Sequence, residues 1–115
     1  MNKPILDVRF FRTESGAEPV REWLKGLSAA DRKAAGEDIK TVQFGWPLGM
    51  PLVRKMGDGL WEVRIRLEGR TARVLFTTSD DVAILLHGFI KKSEKTPRED
   101  LDLAKDRLKK LRSEP

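Results

Sequence analysis

Apolar positions along the chain change period twice, and each change marks a change of element. Ile5 to Phe11 interleaves β-branched and aromatic residues with charges and stops before Thr13-Glu14-Ser15-Gly16, which reads as a short strand running into a turn. Val20, Trp23, Leu24 and Leu27 then stand at i, i+3, i+4 and i+7 behind Pro19, a residue suited to a first helical position, so one apolar helical stripe is predicted with Trp23 in the core. Ser28, three residues ahead of Asp31, has the spacing of a helix cap, and Arg32, Ala35, Ile39 and Val42 keep helical spacing until Gly45 and Pro47 end it. The two helices, joined at Gly26 to Ser28, form a hairpin.

Beyond the loop Gly45-Trp46-Pro47-Leu48-Gly49-Met50-Pro51 the period drops to two. A short strand is predicted around Leu52 to Lys55, followed by Leu60 to Leu67, in which Trp61, Val63, Ile65 and Leu67 oppose Glu62, Arg64 and Arg66. Arg70 to Thr78 alternates in the same way and joins its neighbour through Glu68 to Arg70 as an antiparallel hairpin. Val82 to Ile90 is almost wholly apolar and reads as an interior strand. Gly57-Asp58-Gly59 is a turn and not a phosphate loop, because no helix follows it. Thr96 as N-cap, Pro97 in the first turn and Glu99 three residues past the cap open a last helix, whose stripe is Leu101, Ala104, Leu108 and Leu111.

This order predicts an α+β domain: an N-terminal strand and a helical hairpin packed on a mainly antiparallel twisted sheet, with a C-terminal helix. The helices are expected to cover one face and leave the other for function. At 115 residues the chain is expected to be a single domain, residues 1–115. Zero cysteines exclude a disulfide framework, a thiolate nucleophile and the usual zinc site, and one histidine leaves little for a metal centre. No cofactor and no metal are expected. The longest apolar run, Val82 to Leu86, falls far below the ~18 residues of a membrane span, so a cytoplasmic protein without membrane contact is expected.

Charge sharpens this outline. The net charge is +5, and the excess concentrates in residues 51–95, where 9 bases face 6 acids. Arg64 and Arg66 share one side of a strand, Arg73 lies on its hairpin partner, and His87 lies near the end of the next strand, which leads into Lys91, Lys92 and Lys95. Such crowding costs stability, so it reads either as a phosphate-binding face or as a solvated basic surface. Glu62 is the only carboxylate of matching parity, which disfavours two-metal catalysis. Cations that stabilise a phosphorane and a histidine or crowded lysine that moves protons suit metal-free cleavage of RNA, whose 2′-hydroxyl is the internal nucleophile. In this scheme Arg73, Lys92, Lys95 and His87 are the candidate catalytic residues, and Arg64, Arg66 and Lys91 the candidate RNA-binding ones. Removing Arg73, Lys92 or Lys95 is expected to leave no buried partner behind. His87 has a second reading as a half-buried, hydrogen-bonded strand residue, since Ala83, Leu85 and Phe89 share its parity. Trp61 and Phe89 suit the core or base stacking, and Trp46 suits a lid over the helical hairpin or a partner contact.

The run Leu85-Leu86-His87-Gly88-Phe89-Ile90-Lys91-Lys92-Ser93-Glu94-Lys95-Thr96-Pro97 resembles the signature of the phage-derived HigB-type toxins of the RelE/ParE superfamily. Pro19-Val20-Arg21-Glu22-Trp23-Leu24, Gly49-Met50-Pro51-Leu52-Val53 and Gly57-Asp58-Gly59-Leu60-Trp61-Glu62-Val63-Arg64 agree with it in order. The resemblance implies a RelE/ParE-like toxin of a type II toxin-antitoxin system, an mRNA interferase that acts with the ribosome and is silenced by a cognate helix-turn-helix antitoxin. By motif position Arg64, Arg73, Lys91, Lys92 and Lys95 carry over as its basic residues. Several relatives place a tyrosine near the carboxy-terminal side of the site, whereas this chain has none, which leaves the base open and shifts weight to His87 and the lysines. A ParE-like DNA gyrase inhibitor and a non-catalytic repressor-binding partner are the competing functions, because one fold hosts both ribonucleases and gyrase inhibitors.

Overall fold

The elements follow the predicted order in the computed structural model, which describes residues 3–92 and 95–114. They are β1 (Asp7–Phe10), α1 (Pro19–Lys25), α2 (Ala29–Gly45), β2 (Val53–Gly57), β3 (Leu60–Leu67), β4 (Arg70–Ser79), β5 (Val82–Lys91) and α3 (Arg98–Arg112). The strands make one 5-stranded sheet in the order β1-β5-β4-β3-β2. β1 runs parallel to β5 and every other pair is antiparallel, because two-residue turns connect β2 through β5 as a meander while β1 is joined by a crossover. At the β2–β3 turn Asp58 and Gly59 have φ of 53° and 81°, the left-handed pair that a tight hairpin demands. Gly59 also meets α3, for a Cβ there would stand 2.5 Å from an Arg112 guanidinium nitrogen.

Ser28 caps α2 as its spacing predicted, its hydroxyl accepting the Asp31 N–H at 3.1 Å. The Asp31 carboxylate in turn meets Arg70 at 2.7 Å, which ties the start of α2 to the start of β4. The hairpin face of the sheet is apolar across its centre. Val63, Ile65, Ala72, Val74, Phe76 and Leu85 bury against Val20, Ala35 and Val42, and Trp23, Trp46 and Trp61 pack at the margin of this layer. Trp46 is thus a structural cover for Trp61 and Phe76, with ring centroids 5.3 and 5.6 Å away.

Three expectations fail here, each for a physical reason. The opposite face is not left bare: α3 lies across β5 and β4, where Leu60, Leu75, Leu86 and Phe89 bury its Ala104 and Leu108. An amphipathic helix needs an apolar surface, and these strand residues supply the second one. Parity along β5 also breaks. The register passes from Leu75↔His87 to Phe76↔Leu85, leaving Leu86 as an extra bulged residue. Ala83 and Leu85 therefore face the hairpin, whereas His87 and Phe89 turn to the α3 side. Gly88 takes the hairpin side in their place, and a Cβ on it would lie 2.5 Å from the Trp23 ring, so the tryptophan fills the space a side chain would need. Finally, Thr96 does not cap α3. Pro97 holds the N-cap position without a side-chain cap, because the Thr96 hydroxyl is used elsewhere.

Candidate functional site

Three rows of residues cross the α3 side of the sheet. Arg54, Glu62, Leu75 and His87 stand in the first, Arg64, Arg73 and Phe89 in the second, and Arg66, Thr71 and Lys91 in the third. α3 packs mainly over β5 and β4, so the β3 ends of the second and third rows, Arg64 and Arg66, stay accessible, whereas Glu62 in the first is buried. An open cleft of about 460 Å³ lies there. Arg64, Arg66, Thr71 and Arg73 form its strand wall, Pro51 and Leu52 the loop wall, and Asp38 closes it from α2.

Arg73 is the anchor of the second row. Only 4% of its surface is exposed, and its Nε lies 3.2 Å from Oε1 of Glu62, which is 1% exposed. Nη1 of Arg73 donates to the Ala72 carbonyl at 3.2 Å. The second Glu62 oxygen accepts the Thr96 hydroxyl at 2.5 Å, which is why that hydroxyl leaves the helix terminus uncapped. Burial, with Arg64 adding to it, lowers the Arg73 pKa against the opposing pull of Glu62, yet a guanidinium starts so high that it stays charged at neutral pH. The expectation that Arg73 can be removed without orphaning a partner is therefore wrong. Its loss strands a buried carboxylate, an effect of about 3 to 5 kcal/mol. Arg64, directly opposite Arg73, meets only the Met50 sulfur at 3.9 Å among the described contacts of its side chain. Two facing guanidiniums repel, and an anion placed between them removes that cost.

His87 is half-buried, with Nε2 2.6 Å from Oδ1 of Asp100 in the first turn of α3. A carboxylate oxygen accepts, so Nε2–H of the ring is the donor in this contact and Nδ1 is left to other partners. The imidazole stacks on Phe89 with centroids 5.6 Å apart and an interplanar angle of 20°. The hydrogen-bonded strand reading thus describes its placement, and the carboxylate fixes ring orientation as an acid–base histidine also requires. His87 does not line the cleft; it stands one row away from Arg73. Phe89 is buried beneath α3 and Trp61 packs on the hairpin side, so neither is presented for base stacking.

Arg64, Arg66 and Arg73 are brought together in the cleft, and Lys91 ends the third row on β5. Lys92 and Lys95 are exposed beyond that strand, flanking residues 93 and 94, which lie outside the described residues. Two carboxylates escaped the sequence reading. Asp100 pairs with His87 only because α3 docks on the second face, which parity did not anticipate. Asp38 faces the cleft from α2, where burial raises its pKa while the Arg66 backbone N–H, donating to it, opposes that rise. The Ile39 and Val42 stripe could have placed Asp38 on the helix margin, but not against β3. Among the described residues no group of three His, Asp or Glu side chains is placed to hold a metal ion, and no helix is long and apolar enough to cross a membrane.

A five-stranded mixed sheet with two helices between its first strand and the other four and one helix after them, carrying arginines on its open end, defines an α+β domain compatible with the RelE-like fold. The family model described as phage derived protein Gp49-like (DUF891) matches residues 22–109, and the chain belongs to that phage-derived family, a family of RelE/HigB-like toxins. No curated protein matches the chain.

Proposed function

We infer that the protein is the toxin of a toxin-antitoxin pair and that its activity is metal-free endoribonucleolytic cleavage of mRNA on the ribosome. The observation that carries this reading is the facing pair Arg64 and Arg73 in an open cleft, with Arg73 locked by a buried carboxylate. Membership of the Gp49-like family supports it. In the reaction the substrate 2′-oxygen attacks phosphorus and the bond to the 5′-oxygen breaks. A base takes the 2′-hydroxyl proton and an acid returns one to the leaving oxygen, giving a cyclic phosphate and a 5′-hydroxyl. Arg64 and Arg73 stabilise charge on the phosphorane, and Arg66, Lys91, Lys92 and Lys95 hold flanking phosphates and ribosomal RNA. His87, oriented by Asp100 one row from Arg73, is the proton carrier in this scheme, which requires the substrate to span both rows. A helix-turn-helix antitoxin would silence the protein by covering the cleft.

Brief induction without an antitoxin tests the reading. Arrested translation with cut transcripts is expected, and both should vanish in Arg64→Ala, whose side chain has no ion pair within 4.0 Å among the described residues to leave behind. Intact transcripts together with relaxed DNA supercoiling would replace this reading by gyrase inhibition.

A further inference from the structure

We propose that the cleft reads a guanine base, with the carboxylate of Asp38 as the reader. This rests on the reading that the cleft takes RNA. The cleft of about 460 Å³ has the size of an ordinary small-molecule site, enough for one nucleotide, and its wall is divided by chemistry. Arg64, Arg66 and Arg73 supply charge for a phosphate on the strand side, while Pro51 and Leu52 offer an apolar surface to a base face. Among the described residues Asp38 is the only carboxylate lining this cleft. A carboxylate opposes the phosphate that the arginines favour, so it needs a reason to be there.

One such reason is structural. β2 pairs with β3 only as far as Val63, so the N–H groups of Arg64 and Arg66 face an open edge. Leu52 satisfies the first through its carbonyl at 2.8 Å, and the second lies toward the Asp38 carboxylate, whose pKa it lowers. That role uses one of about four acceptor positions on an ionised carboxyl, and a neutral amide would serve it without the cost of burying charge. The remaining positions accept and never donate. Guanine alone presents two adjacent N–H donors on its Watson–Crick edge, the ring imino and the exocyclic amine. Adenine and cytosine set one amine beside an acceptor nitrogen, and uracil sets its imino group between two carbonyls. An acceptor-only pair therefore selects guanine and repels the other three.

Titration of the intact protein with guanosine, inosine, adenosine, cytidine and uridine monophosphates, followed by amide chemical shifts, tests this directly. Guanosine monophosphate should bind about tenfold or more tighter than inosine monophosphate, which lacks only the exocyclic amine, as expected for one hydrogen bond to a charged acceptor. Asp38→Asn keeps a carbonyl for the Arg66 N–H and should lose the guanine preference while still binding nucleotides through phosphate. Equal binding of the guanosine and inosine compounds, or a preference that survives in Asp38→Asn, overturns the assignment. The guanosine-to-inosine ratio is measured within the wild-type protein, so it decides even if Asp38→Asn does not fold. Transcript mapping separates the two readings. Guanine selectivity without cut transcripts keeps the pocket and removes the nuclease, whereas cuts with no guanine at a fixed offset keep the nuclease and remove the pocket.

Discussion

The two faces of the sheet are built by different rules. Under α1 and α2 the layer is aromatic and aliphatic, and Trp46, Trp61 and Phe76 contact one another at 5.3, 5.6 and 6.2 Å between centroids. Under α3 the apolar part is smaller, and it gives way within two residues of Leu75 to the buried Arg73–Glu62 pair. Shape holds the first face, and satisfied charge holds the second at the point where the cleft opens. Fixing an arginine by a buried carboxylate is a poor route to stability, since apolar residues of similar volume often do as well, but it presents a guanidinium in one orientation. That difference marks the second face as the working one.

Phe76→Ala should have the largest effect of the substitutions that break this contrast. It empties the centre of the hairpin-side layer and should cost about 3 to 5 kcal/mol, read as a lowered denaturant midpoint with unchanged slope. Glu62→Ala comes next, at about 3 kcal/mol, because it leaves Arg73 buried without its partner. The sharper version is the double replacement Glu62→Leu with Arg73→Met. It should regain most of that stability and still abolish RNA cleavage, whereas a double variant that cleaves would show the pair to be structural only. Lys92→Ala should barely move the melting temperature, since the side chain is exposed, yet slow cleavage by roughly tenfold to a hundredfold if it touches a transition-state phosphate.

The smallest effects concern two carboxylates of α2 whose pKa values move in opposite directions. Arg70 holds Asp31 below the usual carboxylate range, so its contribution is present at neutral pH and is lost as pH falls through the folded-state value. Wild type and Asp31→Asn should therefore begin to draw together only once pH falls below the ordinary carboxylate value, and converge below the still lower folded-state one. Burial raises Asp38, so its ionised form weakens the fold at neutral pH and protonation relieves the penalty. Asp38→Asn should be the more stable protein at pH 7, with the gain disappearing below about pH 4. Thermal melts across that range check both signs.

Period and turn chemistry made most of the architecture legible in the sequence. The strand read from Leu60 to Leu67 matches β3 at both ends, Ser28 caps α2 as its spacing implied, and Gly57-Asp58-Gly59 is the predicted turn. What sequence reasoning missed lies between elements. The bulge at Leu86 has no local signature in a run of apolar residues, and it reverses the side on which His87 stands. Thr96 carries a good capping pattern, but a buried carboxylate from β3 competes for its hydroxyl and wins. Of the candidate site residues, Arg64, Arg66 and Arg73 share a cleft as parity suggested. Asp38 and Asp100 became visible only once the helices were docked.

The central claim is that the cleft of Arg64 and Arg73 cuts RNA, and the most direct measurement is a genome-wide map of new RNA 5′ ends minutes after induction of the wild-type chain and of Arg64→Ala. The account predicts new 5′-hydroxyl ends within translated regions for the wild type and none for the folded Arg64→Ala variant. Equal numbers of such ends with both proteins, or none with either while growth still stops, would contradict it.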